Sequence, residues 1–93
     1  MGLKNVIVGH DALASLPLTI IVPITRWDDK YAQADWHVKL EVSPGNGMDK
    51  PSSADTFQVR SISRMRLVKQ LGNLGEADMA AIGEGLKISL ALD

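Results

Sequence analysis

Hydrophobic and polar positions change rhythm several times along this chain, and each change marks an element. Asn5 to Val8 is a short apolar run closed by Gly9, the pattern of a strand. Asp11 to Leu16 suits one helical turn with Asp11 as its cap, stopped ahead of Pro17. Leu18 to Ile24 is an unbroken, largely β-branched run, which predicts a strand buried on both faces. Pro23 within it lacks an N–H and predicts an edge position or a bulge near the strand's end. Asp28 to Asp35 is polar and predicts a loop. From Trp36 the pattern alternates, with Trp36, Val38, Leu40 and Val42 on one face and His37, Lys39 and Glu41 on the other. That is a half-buried strand with one wet side.

Two prolines and two glycines between Ser43 and Ser53 predict an exposed loop, with Gly45-Asn46-Gly47 as turn chemistry. Strand character returns at Thr56 to Ile62 and at Met65 to Leu71, separated by a turn near Ser63-Arg64. The chain ends in a helix. Gly75 serves as N-cap, and Glu76 and Asp78 put negative charge in the first turn, where the helix dipole favours it. Met79, Ile82, Leu86 and Leu90 recur at spacings of three or four and form an apolar stripe. Gly83 and Gly85 sit inside this helix at a cost of about 1 kcal/mol each relative to alanine. Close approach of another backbone would account for them. The outline is α+β and mostly β: a small twisted barrel or curled sheet closed by a C-terminal helix.

With 93 residues the chain has room for one domain, and its 45% hydrophobic and 23% charged content is that of a folded protein. A domain this small buries only about 60–65% of its unfolded surface, so oligomerisation is a common remedy. The absence of cysteine rules out a disulfide framework and a thiolate zinc site, and it is compatible with the cytoplasm. The N-terminus opens no secretory signal, because its apolar stretch breaks at Gly9-His10-Asp11. The longest apolar run, Leu16 to Ile24, is too short to span a bilayer. The expectation is a soluble, cytoplasmic protein.

Net charge is −1, but it is unevenly spread. Between Thr56 and Gly75 stand Arg60, Arg64, Arg66 and Lys69 and no acid. Such a strip reads either as a phosphate-binding surface or as a solvated strand edge that discourages aggregation. His10 and His37 have no helical ligand spacing and no accompanying carboxylate cluster, so no metal site is expected. Nucleotide-loop, dinucleotide and serine-elbow fingerprints are absent.

Two segments stand out. Ile20-Ile21-Val22-Pro23-Ile24-Thr25 is a buried strand that delivers a hydroxyl at its end, followed by Arg26 and Trp27. Gln58-Val59-Arg60 runs on to Arg66-Leu67, then Leu71-Gly72-Asn73-Leu74, then the acid-led helix ending Ile88-Ser89-Leu90-Ala91-Leu92. In this order the chain resembles the MazF/PemK family of toxins, whose members carry a "VxPIT" strand, a "QxRxxxxxRL" strand, an "LGxL" turn and a helix ending "ISLAL". The resemblance runs from about Asn5 to Asp93. It implies an SH3-like barrel with a C-terminal helix, working as a homodimer. The implied activity is sequence-specific cleavage of single-stranded mRNA with no metal or other cofactor, under control of a cognate antitoxin protein.

Residue by residue, the resemblance implies that Thr25 supports the reacting phosphate. It also places Gln58 on RNA bases, and an amide that both donates and accepts suits a splayed base edge. Arg60 falls on a family arginine of more structural character. Trp27, beside Thr25, could stack a base or cover one end of the barrel. The family begins with a further strand, a loop and an "RP" pair; counted back from Asp11, its catalytic arginine falls on Leu3 and its proline on Lys4. The chain is therefore read as a single MazF/PemK-like domain, residues 1–93, short of the family's first strand and loop. Lys4 and Arg26 are the cations at hand to replace the arginine, although an ammonium lacks the planar guanidinium fork. Three readings follow: an active endoribonuclease toxin, an inactive truncated relative that binds RNA or an antitoxin peptide, and a barrel-type interaction domain unrelated to nucleic acid.

Overall fold

The computed structural model describes residues 4–67 and 69–92. Five strands and one α-helix form it: β1 (Lys4–Val8), β2 (Leu18–Arg26), β3 (His37–Leu40), β4 (Ser52–Asp55), β5 (Arg60–Ser63) and α1 (Glu76–Ser89). Single 3-10 turns stand at Asp11–Ser15, Asp29–Gln33, Thr56–Gln58 and Arg64–Arg66. Every strand pairing is antiparallel.

Strand β2 organises the sheet. Along one edge it pairs with β1 from Lys4↔Ile24 to Val8↔Ile20. Along the other it pairs first with β5, ending at Ile21↔Arg60, and then with β4, beginning at Ile24↔Ala54. Pro23 falls in the gap between those two ladders, so it sits neither on an edge nor in a bulge as expected. A residue without an N–H is tolerated where a strand changes partner. Strand β3 closes the order by pairing with β4. The expectation that β2 is buried on both faces holds: Ile21 and Val22, adjacent and pointing opposite ways, are both fully buried.

Three sequence expectations need correction. Ser52 and Ser53 were expected to end the loop that begins at Ser43, yet Ser52–Asp55 lies between β2 and β3 as the strand β4. Its Ser-Ser-Ala-Asp sequence has little intrinsic strand preference; pairing on both edges supplies what propensity does not. The continuous strand expected at Thr56 to Ile62 is interrupted, because Asp55 accepts from the Phe57 N–H and caps a 3-10 turn before β5 begins. The expected strand at Met65 to Leu71 is instead a turn at Arg64–Arg66, which Ser63 caps, and the described residues from Lys69 to Leu71 belong to no regular element. Arg64 is not free in solvent, because its guanidinium donates to the carbonyls of Leu13, Leu16 and Leu18.

The core lies between one sheet face and α1: Val6, Val22, Ile24, Val38, Leu40 and Ala54 pack with Ile82. Beside it, the Leu71-Gly72-Asn73-Leu74 segment docks on the Gly45–Gly47 turn, where Asn73 N–H donates to Gly45 O at 2.8 Å. A Cβ on Gly72 would fall 2.4 Å from Gly45 O, so this motif is read as backbone-on-backbone packing that only glycine permits.

The two helical glycines separate cleanly. A Cβ at Gly85 would meet Thr56 Cγ2 at 2.9 Å and Val38 Cγ2 at 3.0 Å, whereas at Gly83 it meets nothing within 4 Å. Side chains, not another backbone, thus crowd Gly85. We expect Gly83→Ala to stabilise the fold by about 1 kcal/mol through helix propensity. Gly85→Ala should lose that gain and destabilise, because the packed sheet must move. Urea midpoints of the two variants check this.

Candidate functional site

Residues paired across an antiparallel sheet share a face, so the register assigns every candidate to a side. Opposite the core lies a row across three strands: Thr25 on β2, Ser53 on β4 and Lys39 on β3. Two residues along β3 and β4, His37 pairs with Asp55 on the same side. Arg60, paired with Ile21, also belongs there. Thr25 is exposed, and its side chain has no hydrogen-bond partner among the described residues. Ser53 beside it is fully buried, and its hydroxyl lies 2.8 Å from His37 Nδ1.

An aromatic group frames this row. Tyr31 stacks on His37 with centroids 3.8 Å apart and planes within 4°. Trp27 meets the edge of Tyr31 at 5.9 Å, and Lys39 Nζ stands 5.0 Å from the Trp27 ring centroid. The indole N–H donates to Asp29 at 3.1 Å, and the Trp27 backbone N–H donates to Pro51 O. The polar stretch Asp28 to Asp35 is therefore ordered: Asp28 caps the 3-10 turn that carries Tyr31 into the stack. Past the end of β2, Arg26, Trp27, Lys50 and Pro51 line an open cleft of about 340 Å³.

The structure separates some of the sequence's candidates. Lys4 pairs with Ile24 and Arg26 follows Ile24 by two, so both lie on the side opposite Thr25. Lys4 reaches the 47–49 loop, donating to Gly47 O at 3.0 Å and standing 3.9 Å from Asp49. Arg26 turns into the end cleft. Leu3, the position of the family arginine, lies outside the described residues. Gln58 donates to Asp55 at 2.7 Å, leaving its carbonyl oxygen with no partner among the described residues. Sequence reading missed Ser53, His37 and Lys39. Their alternation as a wet face was visible, but not their pairing next to Thr25. Among the described residues no group of three or more potential ligands gathers to hold a metal ion.

Residues 5–90 match the profile of the PemK-like, MazF-like toxin of type II toxin-antitoxin systems. The chain belongs to this family. The structure is similar to Mycobacterium tuberculosis toxin MazF-mt6, with a TM-score of 0.80 at 21% identity, over 96% of this chain and 86% of that one. It is also similar to a mycobacterial endoribonuclease solved with its cognate antitoxin, with a TM-score of 0.76 at 17% identity, over 96% and 81% of the two chains. No curated protein sequence matches at a significant level. The curled sheet with one C-terminal helix is thus the MazF-like fold, with the threonine of its "PIT" segment on the open face. Among the described residues no helix is long and apolar enough to cross a membrane.

Proposed function

We propose that this MazF-like chain is an endoribonuclease toxin that cuts single-stranded mRNA in the cytoplasm, works as a homodimer and is silenced by a cognate antitoxin. The observation that carries it is the face built around Thr25. An unengaged hydroxyl stands in one row with Lys39, which lies over the Trp27 indole, and Arg26 and Lys50 line the cleft past the end of the same strand. The RNA 2′-hydroxyl attacks the adjacent phosphate, the 2′-oxygen–phosphorus bond forms and the bond to the 5′-oxygen breaks. A cyclic phosphate and a 5′-hydroxyl result. Thr25 donates to a phosphate oxygen as charge builds on it, and Lys39 supplies positive charge along the same row. Gln58, tethered through its nitrogen, offers its carbonyl oxygen to a base edge. Similar solved structures support the reading: one is a mycobacterial endoribonuclease, and another was solved with its cognate antitoxin.

The test is a digest of long mixed-sequence RNA in chelator with mapping of cut ends. Cuts at one short motif support the reading. Intact RNA with measurable RNA binding would favour the non-cleaving relative, for which the leucine at the family's arginine position speaks.

The end cleft makes a separate prediction about affinity. Arg26→Ala with Lys50→Ala should flatten the dependence of RNA affinity on salt by about 0.7 per lost phosphate contact. Trp27→Ala should cost about 1 kcal/mol, the low end for a stacked base, because Lys39 stands over its ring. Fluorescence anisotropy with a labelled oligonucleotide at several salt concentrations reads both.

A further inference from the structure

We propose that Asp55 sets which bases this chain accepts near the cut, by fixing the Gln58 amide so that its oxygen faces the RNA; the inference rests on the ribonuclease reading above. Asp55 is buried, and each of its carboxylate oxygens accepts a hydrogen bond. Oδ1 takes the Phe57 N–H at 3.2 Å, and Oδ2 takes Gln58 Nε2 at 2.7 Å. A carboxylate accepts and an amide can turn over, so Asp55 decides which end of Gln58 faces inward. Turned the other way, the amide would set its carbonyl oxygen against a carboxylate oxygen, acceptor against acceptor. The nitrogen end therefore faces Asp55. The oxygen end, on an exposed residue and without a partner among the described residues, faces outward.

The pair stands on the Thr25 face. Asp55 lies two residues along β4 from Ser53, the cross-strand partner of Thr25, a step of about 7 Å. A base read there belongs to a nucleotide close to the phosphate at Thr25. An outward acceptor calls for a donor on the base edge. Cytosine offers its N4 amine, adenine its N6 amine and guanine its N2 amine, whereas uracil has no exocyclic amine. The one base-edge donor of uracil, N3–H, lies between two carbonyl oxygens. Gln58 would reach it with acceptors crowding on both sides and the Asp55 carboxylate behind. Uracil is therefore disfavoured at this position, and the amine-bearing bases are admitted.

The same two bonds predict a switch. In Asp55→Asn the Phe57 N–H still needs an acceptor, so the asparagine oxygen stays with it and the new amino group faces Gln58. That group donates to the Gln58 carbonyl, the amide turns over, and an N–H then faces the RNA. A donor there suits the O4 carbonyl of uracil and meets the N4 amine of cytosine donor to donor. Asparagine caps turns as aspartate does, so the 3-10 turn at Thr56–Gln58 survives the exchange.

Two decamers of 2′-O-methyl RNA, one all cytosine and one all uracil, test this by fluorescence anisotropy. They match in length and charge and lack the 2′-hydroxyl that cleavage needs, so affinity is read alone. The wild type should bind the cytosine decamer about tenfold more tightly than the uracil decamer, the worth of one hydrogen bond made in one and missed in the other. Gln58→Ala removes an exposed side chain and should bring the two to parity. Asp55→Asn should bring them to parity or reverse their order. Equal binding by the wild type, tighter binding of uracil or no binding of either overturns the proposal, as does a full cytosine preference in either variant. A preference that reverses in Asp55→Asn, in a protein that leaves cleavable RNA intact, upholds the Asp55–Gln58 device and overturns the ribonuclease reading instead. Equal binding in a protein that does cut RNA overturns the device and leaves that reading standing.

Discussion

Thr25→Ala should lower the rate of RNA cleavage in chelator by at least about 100-fold, the scale seen when one hydrogen-bond donor to a developing anion is removed. The geometry makes this a chemical test and not a test of folding. Thr25 is exposed near the end of β2, and no hydrogen bond of its side chain to another described residue would be lost. Its strand stays held by β1 on one edge and β4 on the other. Thermal melts of the variant should therefore match the wild type within about 0.5 kcal/mol, the usual range for surface substitutions. Thr25→Ser restores the hydroxyl and should recover most of the rate, whereas Thr25→Val keeps the shape and should not. Mapping cut ends by primer extension, with rates taken at saturating protein, separates the three. A Thr25→Ala protein that cuts as fast as the wild type would remove this hydroxyl from the reaction.

Much of this was legible in the residues because several signals coincide. The β-branched run of β2 predicts burial on both faces, and Ile21 and Val22 confirm it. The order of short motifs pointed to the family that the profile match over residues 5–90 then established. What was not legible depends on pairing. Ser52–Asp55 carries no strand signal, yet it is the strand that sets Thr25 beside Ser53 and, through Ser53, beside Lys39 and His37. Lys4 and Arg26 looked like neighbours of Thr25 along the chain or in the motif. The pleat sends them to the other side, because one step along a strand reverses the face. Arg64 read as part of a basic strip and is spent on three carbonyls.

The second large effect concerns the helix. Sequence spacing treats Met79, Ile82, Leu86 and Leu90 as equal members of a stripe. In the fold Ile82 is 1% exposed and packs with Val38 and Leu40, while Met79 and Leu90 are 37% and 52% exposed. Ile82→Ala should thus destabilise by about 2–5 kcal/mol, since a buried isoleucine truncated to alanine loses both transfer energy and packing. For a domain of this size each 1 kcal/mol lowers Tm by about 4–8 °C, so a fall of at least about 8 °C is expected in a thermal melt. Against a total stability near the low end of about 5–15 kcal/mol, that is a large share. Leu90→Ala should cost under about 1 kcal/mol, because most of that side chain is already in water. The contrast also probes assembly. If Leu90→Ala proves as damaging as Ile82→Ala, and the loss grows on dilution, a second copy covers Leu90 in solution, because stability that depends on protein concentration reports association. If the loss does not depend on concentration and stays small, the helix is held to its own sheet through Ile82, and any dimer uses another surface.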